Sequence, residues 1–424
     1  MEARRLQADV NEVVNNKSEP KPLSRKKLLG VAGTGWMFDA MDVGILSFVI
    51  AAIGVQWGLS PTEKAWIGSI NSIGMAVGAI FFGILADKVG RKQIFMWTLI
   101  LFSVASGLSA FATTLTIFMI LRFFIGMGLG GELPVASTLV SESVPAKERG
   151  RVVVLLESFW AAGWLLAAII SYFVIPYENW PFGLEGWRVA LLLTALPAFY
   201  AIYIRLKLPD SPQFVAKAAS KKRSFLENVK GVWAKKYSKN TLMLWILWFA
   251  VVFSYYGMFL WLPSVMVGKG FSLIQSFKYV LIMTLAQLPG YFSAAWLIEK
   301  AGRKFVLVSY LIGTAASAFV FGNADTIEVL LISGMFLSFF NLGAWGALYA
   351  YTPEQYPTLI RGTGAGLAAG VGRIGGVLGP LLVGMMLDQG YDISTVFTIF
   401  CIAILIGVSA VLFLGKETKQ IELD

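Results

Sequence analysis

Twelve long apolar runs dominate the chain, at 28–56, 66–86, 93–111, 115–140, 152–175, 187–206, 241–267, 277–298, 305–322, 327–350, 362–387 and 393–415. A run of about twenty such residues is what a helix needs to cross the hydrocarbon core of a bilayer. Composition agrees, with 57% of the 424 residues hydrophobic and only 14% charged, against roughly 25% charged in soluble domains. So few charges cannot coat a soluble protein of this size, which argues against a cytosolic enzyme, a secreted domain or a nucleic-acid binder. The fold class expected is an all-α membrane protein with twelve transmembrane helices.

The basic residues orient those helices. With both ends and alternate loops on one side, that side holds 29 of the 35 Lys and Arg, which places it in the cytoplasm of a multi-pass cell-membrane protein. The net charge of +10 then follows from topology and requires no nucleic-acid partner. Histidine is absent and Cys401 is the single cysteine, so proton chemistry falls to Asp, Glu or Lys. No cofactor, metal or enzymatic activity is expected, because the spans hold no nucleophile–base set or ligand cluster. The expected organisation is a cytoplasmic tail at 1–27, a six-helix bundle at 28–206, a cytoplasmic linker at 207–240, a second bundle at 241–415 and a tail at 416–424. The first tail lacks a cleavage signature and is not read as a signal peptide.

The chain repeats itself at an offset of 212 residues, the separation of Asp87 from Glu299. Asp87-Lys88-Val89-Gly90-Arg91-Lys92 matches Glu299-Lys300-Ala301-Gly302-Arg303-Lys304, and Glu142, Pro145, Arg149 and Gly150 match Glu354, Pro357, Arg361 and Gly362. Two related six-span halves mark a secondary transporter with its substrate between them. The stretch Gly83 to Lys92 resembles the loop motif of the major facilitator superfamily, and the resemblance covers nearly the whole chain. It implies that fold, with two pseudo-symmetric halves. Asp87, Arg91, Glu142 and Arg149, with Glu299, Arg303, Glu354 and Arg361, are expected to latch the cytoplasmic side. The alternative is that these charges only enforce topology.

Six ionisable residues fall inside the spans: Asp39, Asp42, Arg122, Glu132, Glu157 and Arg373. Each is costly there and is a functional candidate by default. Asp39 and Asp42 share a helix face. Two carboxylates so close cannot both ionise cheaply at low dielectric, which suits reversible proton binding. Arg122 is the natural partner of Asp42, and the pair resembles the proton-coupling pair of proton-driven sugar porters. Glu132 is either a second acid or a partner for backbone freed near Pro134. Glu157 is expected to pair with Arg149 or Arg151 near the surface. Arg373 either reaches an acid across the bundle, Glu157 or Glu132, or receives an anionic substrate.

Aromatic and polar residues share several faces. Asn341, Trp345 and Tyr349 recur every four residues, and Glu157, Trp160 and Trp164 form a second stripe. Thr284, Gln287 and Tyr291 form a third, and Tyr255 and Tyr256 are adjacent. Amides are few, which suits a small planar molecule better than a sugar. Leu208-Pro209-Asp210-Ser211-Pro212 and Lys416-Glu417-Thr418-Lys419 resemble the sugar-porter and organic-solute branch. The segments Gly35 to Asp42, Gly128 to Ser137 and Asn341 to Gly346 resemble the bacterial niacin transporter group, relatives of the synaptic-vesicle glycoproteins. That resemblance implies ring binding by Trp160, Tyr255, Tyr256, Trp345 and Tyr349, with a carboxylate near Arg373, Gln287 or Asn341. The expected function is proton-coupled uptake of nicotinate, or also nicotinamide, by a monomer in the lipid bilayer. The alternatives are proton symport of another small aromatic acid, transport of an organic cation, or sensing without transport.

Overall fold

The computed structural model describes residues 25–89, 91–142, 146–177, 179–197, 199–200 and 225–419. Fifteen α-helices occupy them. The first half contributes α1 (Arg25–Gln56), α2 (Pro61–Val89), α3 (Arg91–Ser109), α4 (Leu115–Glu142), α5 (Ala146–Val174) and α6 (Gly186–Leu193). A short α7 (Phe225–Val232) follows. The second half contributes α8 (Ser238–Phe259), α9 (Leu262–Gly268), α10 (Leu273–Leu285), α11 (Gln287–Lys300), α12 (Arg303–Gly322), α13 (Ile327–Glu354), α14 (Thr358–Asp388) and α15 (Ile393–Leu414). Among the described residues nine helical stretches are long and apolar enough to cross a membrane, joined by two shorter apolar helices, Met96–Ser109 and Leu115–Gly130.

The helix ends carry the repeat. Arg91 and Arg303 open α3 and α12, Leu115 and Ile327 open α4 and α13, and Ala146 and Thr358 open α5 and α14. Across the halves, α2 packs on α14 and α5 on α11, which are pseudo-equivalent pairs.

Three expected runs are broken where proline dictates. A helical proline lacks an N–H and clashes with the carbonyl four residues back. Pro197, Pro263 and Pro289 lie four residues after Leu193, Phe259 and Leu285, which are the last residues of α6, α8 and α10. The runs 187–206, 241–267 and 277–298 are therefore not continuous helices in their described parts. By contrast α4 continues through Pro134. The region read as a linker is not wholly irregular, since α7 packs on α14 and its Val232 carbonyl accepts from Thr241 Oγ at 2.7 Å. Residues 1–24 of the first tail and 207–224 of the linker lie outside the described residues.

Within each half, glycines bring backbones into contact. A methyl group at Gly78 would lie 1.9 Å from the Met127 carbonyl oxygen, and one at the repeat-equivalent Gly290 2.2 Å from that of Phe339. Such close approach is how helices gain packing in a lipid solvent that offers little hydrophobic drive. Gly78→Ala is expected to destabilise by about 1–3 kcal/mol through overpacking. A fall in the thermal midpoint of the detergent-purified protein reads this out. Gly366→Ala, where a methyl meets nothing within 4 Å, serves as control.

Candidate functional site

The first half holds a dry ion pair. Arg122 Nη1 of α4 donates to Asp42 Oδ2 of α1 at 3.2 Å, with both side chains 0% exposed. Ser106 Oγ of α3 donates to the other oxygen at 3.1 Å and also meets Thr194. Arg122 Nε and Nη2 have no hydrogen-bond partner among the described residues, and the guanidinium lies 5.2 Å from the Phe118 ring. Asp42 is therefore the counter-charge that keeps a guanidinium buried. Asp39 is buried on the same helix.

Between the halves lies an aromatic cage. Trp160 of α5 stacks on Trp345 of α13 at 6.4 Å and 19°. Its indole N–H donates to Tyr255 OH of α8 at 2.7 Å. Tyr255 lies 4.7 Å from Trp345, Trp36 of α1 lies 5.0 Å from Trp160, and Tyr349 extends the cage from Trp345 at 5.9 Å. The four-residue spacing of Trp345 and Tyr349 on α13 and the three-residue spacing of Glu157 and Trp160 on α5 put each pair on one helix face. One wall carries unfilled hydrogen-bonding capacity: both amide atoms of Gln287, Tyr291 OH and Asn341 Oδ1 are buried without a partner among the described residues. Buried polar groups are nearly always satisfied, so such a cluster fits a surface that works against a polar ligand or water.

Glu157 is not where the sequence placed it. It is 1% exposed inside the cage and accepts from Trp36 Nε1 at 3.2 Å. Arg151 lies on the exposed side of α5 and reaches Glu299 only through its backbone N–H, at 3.1 Å. Six residues advance a helix by about 240° around its axis, so the two side chains diverge. Trp36, the donor that identifies Glu157 as a cage residue, belongs to no aromatic stripe, although it falls within the Gly35 to Asp42 segment. Arg373 of α14 is half-buried, with Nη1 3.5 Å from Tyr256 OH and 3.6 Å from Met75 Sδ, at the limit of hydrogen bonding. No described carboxylate lies within ion-pair distance of it. Tyr349 is within electrostatic range of both Glu157 and Arg373. A buried cage flanked by one acid and one base can hold a flat, dipolar molecule by stacking and charge.

The sequence profile described as sugar (and other) transporter matches residues 11–424. The chain belongs to that transporter family, a branch of the major facilitator superfamily. Among its relatives is a protein of Bacillus subtilis (strain 168) proposed as a niacin/nicotinamide transporter, NiaP. It is 68% identical over 404 residues, covering 95% of this chain and 99% of the relative. The niacin transporter NiaP of Acinetobacter baylyi is 47% identical over 421 residues, covering 92% and 94%. The xylose transporter XylE from E. coli, in a partially occluded inward-open conformation, superposes with a TM-score of 0.75 at 17% identity, covering 93% of this chain and 99% of that one. That likeness is one of fold.

The second copy of this transporter's loop motif is an assembled charge cluster. Arg303 donates to Glu299 at 2.9 Å and to Glu354 at 3.1 Å. Glu299 also accepts from the Arg151 backbone, tying α11 to α5 across the halves. Glu417 accepts from the first backbone N–H groups of α12 at Arg303 and Lys304, as an anion at a helix N-terminus should. Arg361 donates to the Pro353 and Tyr356 carbonyls. The side chains of Asp87, Arg91, Glu132, Glu142 and Arg149 lie outside the described residues.

Proposed function

We propose that this transporter carries niacin, as nicotinate and also nicotinamide, into the cell by alternating access coupled to protons. It acts as a monomer in the cell membrane with both termini cytoplasmic. The cage of Trp160, Tyr255, Trp345 and Tyr349 carries the reading. Its rings suit an aromatic heterocycle, and its few amides, Gln287 and Asn341, suit one polar substituent rather than a ring of hydroxyls. The names of the B. subtilis and A. baylyi relatives support the same substrate. Asp42, paired with Arg122 between α1 and α4, is assigned the coupling proton, with Asp39 and Glu132 as further acids. The cluster around Arg303 is assigned to hold one side of the bundle together in one conformation and to release it in the other.

Labelled nicotinate uptake into proteoliposomes, with and without an inward proton gradient, tests this. The expected result is gradient-stimulated uptake that nicotinamide inhibits and glucose does not. Equal inhibition by benzoate would instead favour a general aromatic-acid symporter. Uptake indifferent to the gradient would remove the coupling.

A further inference from the structure

The coupling assigned to Asp42 leaves the acid inside the cage without a task. Glu157 faces Trp36 from α1, Tyr291 from α11, and Trp345 and Tyr349 from α13. The other buried span carboxylates that the structure describes, Asp39 and Asp42, stand on α1, and Asp42 is held by Arg122. No described Lys or Arg comes within 4 Å of Glu157, and Arg373 flanks Tyr349 from α14. A carboxyl group buried among rings, with the Trp36 indole N–H on one oxygen and that of Trp345 close by, is unfavourable unless a ligand or a proton completes its environment. A benzene ring cannot do so. A ring with a basic nitrogen can, because one proton between carboxyl oxygen and ring nitrogen satisfies both, whichever atom holds it.

We propose that Glu157, with Oε2 held by Trp36, binds the ring nitrogen of a pyridine substrate and so selects pyridine carboxylates and amides over their benzene analogues. The proposal rests on the cage being the substrate site. It gives the two ends of the ligand separate partners, the nitrogen on Glu157 and the carboxylate or amide on the side of Arg373, Gln287 and Asn341. It also reconciles an anionic substrate with spans that carry more acids than bases. A nicotinate that binds together with the shared proton adds no net charge to the site.

Equilibrium binding of labelled nicotinate to the detergent-purified protein, displaced by nicotinate or by benzoate, tests this in the parent, in Glu157→Leu and in Glu157→Gln. The parent should prefer nicotinate by about 10- to 100-fold, the range of a hydrogen bond to a charged group. Glu157→Leu should bring that preference close to one without weakening benzoate. Glu157→Gln keeps shape and a donor, and should lower the preference by roughly 3- to 10-fold. It decides the matter if the Leu variant does not fold. A preference unchanged in the variants that fold overturns the proposal while leaving the niacin reading intact. A parent that binds both acids equally also overturns it. Failure of the parent to bind nicotinate overturns the niacin reading itself, and this proposal with it.

Discussion

Asp42→Asn is expected to abolish gradient-driven uptake and to destabilise the protein by about 3–5 kcal/mol, the usual effect of removing one partner of a buried pair. Both side chains are fully buried, and Asp42 is the one described acid in contact with Arg122. The variant leaves a guanidinium in a dry interior with the Phe118 ring and a neutral amide for company. Adding Arg122→Met removes the orphaned charge and replaces it with apolar volume. Stability should then return toward that of the parent, because neutral substitutes for a buried pair are often as stable as the pair. Uptake should not return, since the titratable group is still missing. Thermal midpoints and gradient-stimulated uptake, read across the four-member cycle, separate these effects. If Asp42→Asn melted with the parent and kept its response to the gradient, the pair would be neither counter-charge nor coupling element.

Trp160→Ala carries the second large effect. Trp160 is 2% exposed and belongs to both halves of the cage, stacking on Trp345, leaning on Trp36 and donating to Tyr255. Truncation is expected to reduce stability by about 3–5 kcal/mol. It should weaken nicotinate binding by about 100-fold or more, as for the loss of a central aromatic anchor. Trp160→Phe keeps a ring but loses the N–H to Tyr255, which should weaken binding by about 5- to 30-fold, the equivalent of one or two kcal/mol. Binding of labelled nicotinate measures both. An unaltered affinity in Trp160→Ala would place the substrate elsewhere.

How much of this was legible beforehand depended on what each residue needed from its neighbours. Asp42 and Arg122 could be paired from the sequence because opposite charges in apolar spans have few other ways to be accommodated. The helix ends followed the repeat because two halves of one architecture keep their turns at equivalent positions, as Arg91 and Arg303 do. Pro134, Pro263 and Pro289 all stand in the sequence as breaks within apolar runs; Pro263 and Pro289 do end helices, α4 runs on through Pro134, and Pro197 breaks the run 187–206 by the same clash without having been singled out. The edge of the apolar run at 152 puts Glu157 too close to the surface. Counted from Ala146, where α5 begins, it lies about 16 Å along the helix at 1.5 Å per residue. The three-residue step from Glu157 to Trp160 held the better signal. That Trp36 would meet Glu157 from α1, 121 positions earlier in the chain, is a fact of tertiary packing that no local pattern encodes.

The same ion pair dictates how the chain must be made. Segments are handed to the bilayer in order during synthesis, and each central Asp or Arg costs a spanning helix about 2.5–3.5 kcal/mol at that step. α1 emerges with Asp39 and Asp42, while the arginine that compensates Asp42 lies 80 positions later on α4. Until α4 arrives, α1 is a poorly lodged helix that depends on the insertion machinery or on its own protonated acids. The second half carries a smaller debt among its described helices, the single deep charge Arg373 on α14 against the two acids of α1. Biogenesis is therefore most fragile at the beginning. A substitution at Arg122 that looks like a transport defect should be checked first for failed integration of α1.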